Sequence, residues 1–153
     1  QMVDPETLNF LRQQSEHAKY ITSVCNGSLI LAAAGLLVGY KTACHWMWSS
    51  YLERFGAQAV DARVVRDRNH FSGGGVTAGI DFALTLTAEI AGEEVAKRIQ
   101  LALEYDPQPP FSCGTPTKAG AAIVEKVLLL QAERIQRIEK NIAIAATNNA
   151  NRS

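Results

Sequence analysis

The stretch that most constrains the fold is "YITSVCNGSLILAAAG", Tyr20 to Gly35. A β-branched run suited to a strand stops at Cys25, and a run of small and apolar residues suited to a helix starts two residues later. A strand that feeds directly into a helix is the opening of a crossover unit, which places it in an α/β sheet. Cys25 stands at the bend. In a parallel sheet, ligand sites form beyond the carboxyl ends of the strands. A residue in a tight strand–helix turn is pushed outward there, the geometry of a nucleophile elbow. The following helix brings its positive amino end to the sulfur and stabilises thiolate. The Asn26 N–H is placed to hold developing negative charge, and Gly27 suits crowding after the turn. The competing reading is that Cys25 is a small buried core residue, since free cysteine is among the most buried types.

The remaining elements extend the same pattern. Asp4, Pro5 and Glu6 mark the start of a first helix. Its face is Leu8, Leu11, Gln14 and Ala18, broadened by Phe10. "KTACH" reads as a second strand, and "WMWSSYLERFG" as a helix ended by Gly56. "ARVVRD" and "HFSG" read as two short strands joined by a tight turn at "DRN". Val76, Ile80, Ala83, Leu84, Thr87 and Ile90 recur at helical spacing. Gly92 ends that run, and "EEVAKRIQLALEY" continues as another helix. "DPQPPFSCGTP" holds four of the five prolines and reads as a loop. From Lys118 the pattern predicts one long helix over 118–147. Its stripe is Ile123, Val127, Leu130, Ile135, Ile138 and Ile142, and the polar tail "TNNANRS" frays. About four short strands alternating with helices predict a mostly parallel sheet covered on both faces.

The 153 residues form one domain with a real core, 47% hydrophobic and 20% charged. Zero net charge favours neither nucleic acid nor acidic membranes. No apolar run reaches spanning length, so no membrane partner is expected. The start "QMVDPETLNF" lacks the pattern of a secretory signal. Three cysteines, an odd number with no Cys-x-x-Cys pair, predict a reducing, cytoplasmic setting. Scattered His17, His45 and His70 argue against a metal site. Two of them, His17 and His70, read as surface or turn residues.

His45 follows a strand end. It either pairs with Cys25 to activate the thiol or packs against Trp46 or Trp48 and fixes a loop. In "SGGGVTAG", Gly74 and Gly75, followed by Val76, lie between a strand and a helix. They either let a ligand approach the backbone and border the pocket floor, or serve tight helix–strand packing. The Walker pattern and Gly-x-Gly-x-x-Gly are both absent. Asp81 reads as a local charge partner, and Cys44 and Cys113 as non-catalytic, with Cys44 near the site. Lys126, Arg134, Arg137 and Lys140 against Glu125, Glu133 and Glu139 predict a solvated face with local pairs. That segment lacks helix-turn-helix punctuation, so nucleic-acid binding is not expected.

"YITSVCNGSLILAAAGLLVGYKTACHW" and "VVRDRNHFSGGGVTAGIDFALTL" together resemble the ThiJ/PfpI superfamily. "GGGVTAGIDFALTL" and "RIQLALEYDPQPPF" are most similar to its isonitrile hydratase branch. The resemblance covers Asp4 to about Pro116 and, more loosely, the final helix. It implies a flavodoxin-like fold of the class I glutamine amidotransferase type. Cys25 is then the nucleophile of a hydratase without metal or other cofactor. It turns an isocyanide into an N-substituted formamide through a thioimidate, and works as a homodimer. The resemblance further implies that the opening strands precede Gln1 and carry the cysteine's acidic partner. Residues 1–153 are then the carboxyl-terminal part of the domain, completed by a preceding segment or a separate chain, and sheet edges are open. Asn26 stands where the branch usually has threonine and retains hydrogen-bonding capacity. Two other members of the superfamily set alternatives: a non-catalytic small-molecule sensor module of an AraC-type regulator, and a redox or aldehyde-stress protein.

Overall fold

Helix α1 shows the local rules at work. In the computed structural model, which describes residues 1–150, α1 spans Pro5–Ser15. Asp4 caps it, its carboxylate accepting from the Thr7 N–H at 3.1 Å, and Pro5 takes a first-turn position where a missing N–H is harmless. Leu8 is buried, but Phe10 is 59% exposed and does not broaden the face. Two residues on, it has turned about 200° around the helix. Gln14 is also exposed. The Arg12 Nε docks α1 on the next helix by donating to the Ala34 carbonyl at 2.8 Å.

The chain then runs through β1 (Ile21–Val24), α2 (Gly27–Ala33), β2 (Lys41–Thr42), a 3-10 helix (Ser49–Phe55), β3 (Gln58–Ala59), β4 (Val64–Asp67) and β5 (His70–Gly73). Helices α3 (Ala78–Ala91) and α4 (Glu93–Ala102) follow, separated at Gly92 as expected. The main sheet has the order β1-β5-β4, and β2 pairs separately with β3. Pairs β1–β5 and β2–β3 are parallel, and β4–β5 is antiparallel. The short turn at Arg68 and Asn69 permits only the antiparallel arrangement. Arg68 takes it with a φ of 55°.

"KTACH" is a strand only at Lys41–Thr42. Ala43 is served by side chains instead: its N–H donates to the Ser72 hydroxyl at 2.8 Å, and its carbonyl accepts from the Ser28 hydroxyl at 2.7 Å. β3 was not legible in the sequence, having only two residues, both exposed.

β5 defines the layers. His70 and Ser72 point to one face, and Phe71 and Gly73 to the other. The first face meets Thr42 and Ala43. On the second, a Cβ at Gly73 would lie 3.2 Å from Phe82 Cβ of α3. The sheet is therefore covered on both sides, and all four β5 residues are buried. The main apolar cluster lies on the α2 side and includes Leu29, Leu37, Trp48, Leu52, Phe55 and Ile142.

His70 is not a surface or turn residue. It is fully buried, with Nδ1 3.1 Å from the Ile21 carbonyl and Nε2 3.0 Å from the Thr42 hydroxyl. A carbonyl only accepts, so Nδ1 carries the proton and Nε2 accepts from Thr42.

The carboxyl-terminal segment is not one helix. It forms α5 (Pro116–Ala119), α6 (Ala121–Leu130) and α7 (Ala132–Ala150). Gly120, at a φ of 78°, separates the first two, and Gln131 the last two. The expected stripe loses its phase at these breaks: Ile123 and Leu130 are 47% and 83% exposed, whereas Ile142 is fully buried. The segment Thr147–Ala150 remains helical, and the Asn149 amide donates to the Ala32 carbonyl at 3.2 Å. The last three residues of the expected frayed tail lie outside the described residues.

Burial lowers the pKa of His70 from its ordinary value of 6.5. As pH falls through that value, the unfolded chain takes up the proton before the folded one does. Stability is therefore full above about pH 6.5 and declines below it. Urea unfolding at pH 7.5 and 5.5 is expected to show this loss, and His70→Gln is expected to reduce the difference between the two pH values while lowering stability at both.

Candidate active site

β1 ends at Val24, but its ladder continues one residue further. The Cys25 N–H donates to the Gly73 carbonyl at 3.0 Å. Cys25 itself turns to a φ of 61°, a left-handed conformation that is unfavourable for a residue with a Cβ. α2 starts two residues later. This is the sharp strand–helix bend that the sequence predicts. Two buried serines flank it. The Ser23 hydroxyl lies 2.8 Å from that of Ser28, and Ser28 in turn donates to Ala43. Ser28 has one proton, so Ser23 is the donor of the pair. Gly27 is less crowded than expected: a Cβ there would lie 3.5 Å from Ser23 Cβ, an ordinary contact.

Cys25 is partly exposed and lines a cavity of about 240 Å³. Its walls are His45, Trp46, Met47 and Trp48 from the segment after β2, Val76 before α3, and Val127, Gln131 and Arg134 from α6 and α7. An adjoining groove of about 840 Å³ shares His45, Trp46 and Val76, and adds Cys44, Gly74 and Gly75. Of the predicted site residues, Cys25, His45 and Val76 therefore meet in one cavity. Gly74 and Gly75 lie in the groove next to it, and Asn26 and Gly27 line neither.

His45 satisfies part of each reading. Its ring lies 5.6 Å from that of Trp46, and it faces the same cavity as Cys25. Among the described residues, however, no hydrogen bond joins the two. Nδ1 accepts from the Met47 N–H at 3.3 Å, which leaves the proton on Nε2. Burial, and secondarily the charge of Arg134, lower the His45 pKa, so the ring is neutral at neutral pH.

Gly74 serves backbone packing. Its N–H donates to the Arg63 carbonyl at 2.9 Å, and a Cβ there would lie 3.3 Å from the Ala62 carbonyl oxygen. Cys44 is buried, its thiol pushed up to about 12 by burial and then by the charge of Cys25. Cys113 is exposed on the proline-rich loop. Asp81 is a charge partner, as expected, paired with Arg63 and accepting from the Tyr105 hydroxyl at 3.1 Å.

The wall built by Gln131 and Arg134 was not foreseen, because charge balance alone assigns Arg134 to a solvated face, although at about 100° per residue it falls within about 20° of Val127, which lines the same cavity. The expected local pairs of that face are also not formed among the described residues. Glu139 accepts from the Tyr51 hydroxyl instead, and the helical i,i+4 pairs lie on α4. Among the described residues no carboxylate lines the Cys25 cavity. Among the described residues no group of three or more His, Cys, Asp and Glu side chains is placed to hold a metal ion. No helix among them is long and apolar enough to cross a membrane.

The left-handed turn at Cys25 gives a direct test of strain. Glycine adopts positive φ freely and alanine does not, and neither carries the thiol. Cys25→Gly is therefore expected to be more stable than Cys25→Ala by about 1 kcal/mol, measured by urea unfolding.

Residues 1–89 match the DJ-1/PfpI family. An isonitrile hydratase of Pseudomonas putida is 53% identical over 125 residues, covering 82% of this chain and 55% of the relative. An HTH-type transcriptional regulator of Pseudomonas aeruginosa is 35% identical over 106 residues, covering 68% of this chain and 29% of the regulator. Among solved structures, a ThiJ/PfpI family protein from Pseudomonas syringae superposes with a TM-score of 0.86 at 49% identity, covering 94% of this chain and 58% of the other. The chain thus spans about half the length of the hydratase it matches. With the cysteine elbow and the layered sheet, these similarities place the chain in the DJ-1/PfpI family, with its flavodoxin-like fold.

Proposed function

We propose that Cys25 is the nucleophile of a metal-free hydratase that converts isocyanides into N-substituted formamides. One observation carries this reading. A cysteine in left-handed backbone opens on a cavity with a neutral histidine and two tryptophans, in a chain 53% identical to an isonitrile hydratase.

The chemistry suits such a place. The thiolate attacks the terminal carbon of R–N≡C, and an acid supplies a proton to that carbon, giving the thioimidate S–CH=N–R. Water adds to the C=N bond. The tetrahedral adduct then expels the thiolate, the nitrogen keeps the added proton, and the formamide R–NH–CHO leaves. One proton is taken up in the first step and one is released in the second, so only water is consumed. Apolar walls limit competing solvent, and fixed geometry replaces a bimolecular encounter. Asn26 and Gly27, at the start of α2, are assigned to the anion-stabilising backbone, since the first N–H groups of a helix lack partners within it. Val76 shapes the cavity beside the sulfur, and Gly74 and Gly75 line the approach to it. The neutral His45, with its proton on Nε2, is assigned to hold substrate or water by hydrogen bonding rather than to act as the acid. The proton donor is assigned to a carboxyl group from outside residues 1–153, and the working unit to a homodimer.

A second reading is a ligand-sensing module of a transcriptional regulator, favoured by the 35% identity to the Pseudomonas aeruginosa protein. It requires binding without turnover, and Cys25 is then dispensable. In the intact protein, Cys25→Ala is expected to lower formamide production by more than about 10⁴-fold, in the range seen when a nucleophile is removed, with its fold retained by circular dichroism. Undiminished formamide production by Cys25→Ala would refute the hydratase reading. Isocyanide binding without product in the unsubstituted protein favours the sensor.

A further inference from the structure

The cavity beside Cys25 has one charged wall. Apart from the nucleophile itself, Arg134 is the one charged side chain among the described lining residues, since burial and the Arg134 charge lower the His45 pKa and no carboxylate is among them. Arg134 has no ion-pair partner among the described residues; the pairs there use Arg63, Arg66, Arg68, Lys97 and Arg98. It also stands in the first turn of α7, where the helix dipole disfavours a cation. Folding therefore gains little from a guanidinium at this point. Gln131, three residues earlier, lies on the same side of the chain and adds a neutral amide to the wall. The other walls are the flat and apolar surfaces of Trp46, Met47, Trp48, Val76 and Val127.

We propose that Arg134, assisted by Gln131, makes this cavity selective for isocyanides that carry a carboxylate. The guanidinium holds the two carboxylate oxygens through paired N–H donors, the amide of Gln131 donates a further hydrogen bond, and the isocyano carbon reaches the Cys25 sulfur. A cavity of about 240 Å³ suits a short aliphatic chain between the two groups. The product is the corresponding N-formyl amino acid, and the carboxylate takes no part in bond making. The proposal rests on the hydratase reading and specifies its substrate class. Arg134 is a binding residue in this account, not a catalytic one.

The test has two arms, both on the intact protein. The first needs no turnover: the rate of Cys25 alkylation by iodoacetate is divided by the rate with iodoacetamide. Peptide mass spectrometry separates Cys25 from the exposed Cys113. The second arm divides kcat/KM for isocyanoacetate by kcat/KM for a neutral alkyl isocyanide. Arg134→Gln is expected to lower both ratios about tenfold, the scale of one charge-assisted hydrogen bond. Arg134→Glu is expected to lower them further, and Arg134→Lys, which keeps the charge but not the paired donors, to restore part of each. Because each ratio uses one protein preparation, partial misfolding cancels. Unchanged ratios in Arg134→Gln and Arg134→Glu, with turnover retained, overturn the proposal and leave the hydratase standing. Absence of turnover with both isocyanides overturns the hydratase reading, and the substrate class with it.

Discussion

The hydrogen bond from the Cys25 N–H to the Gly73 carbonyl sets the position of the bend. It holds the residue's amide in the β1–β5 ladder while φ turns to 61°. The chain can neither extend the strand nor drift into a loop. The backbone must reverse at one residue, and that residue must accept left-handed geometry despite its Cβ. A cysteine kept in such a place contributes less to stability than glycine would. The side chain's position, partly exposed on a cavity, is what the strain obtains.

Holding that turn requires a firm frame, and the frame here is polar. Ser23, Ser28, Thr42, His70 and Ser72 are all buried, and their hydrogen bonds link β1, α2, β2 and β5. Among the described residues no buried side-chain polar atom lacks a partner. Directional bonds fix relative positions more tightly than apolar contact alone, and a fully satisfied network avoids the penalty of an orphaned group. Ala43 shows the consequence. Two serine hydroxyls bind its N–H and its carbonyl, so the chain leaves β2 after Thr42 in a defined direction. That direction carries Cys44 into the core and His45 to the cavity.

The strand–cysteine–helix unit was legible because its signals are local. β-branched residues, an abrupt stop and small helix formers all lie within sixteen residues, Tyr20 to Gly35. The capped start of α1 and the β4–β5 turn were legible for the same reason. His70 was not, since a histidine in a four-residue strand looks alike whether it faces water or Thr42. The buried serines were equally silent: hydroxyls in an apolar run signify nothing until their partners are known. The carboxyl-terminal segment failed differently. Its apolar residues fit one helical period closely enough to hide the breaks at Gly120 and Gln131. At Gln131 no glycine or proline marks the change.

The helices on either side of that break close one side of the cavity. Residues 45–48 and Val76 supply an aromatic and apolar wall beside the sulfur, fixed by the sheet. Val127 ends up opposite, on α6, and Gln131 and Arg134 follow at the junction and in α7. At about 100° per residue Gln131 and Arg134 lie within about 40° of Val127, so all three turn toward one side. Leu130, about 60° to the other side of Val127, is 83% exposed, and the junction presents an amide and a guanidinium. The charge reaches His45 too, lowering its pKa in the same direction as burial does. The α6–α7 junction thus sets a guanidinium in the cavity that Cys25 lines, where burial first and that charge second favour the neutral form of His45.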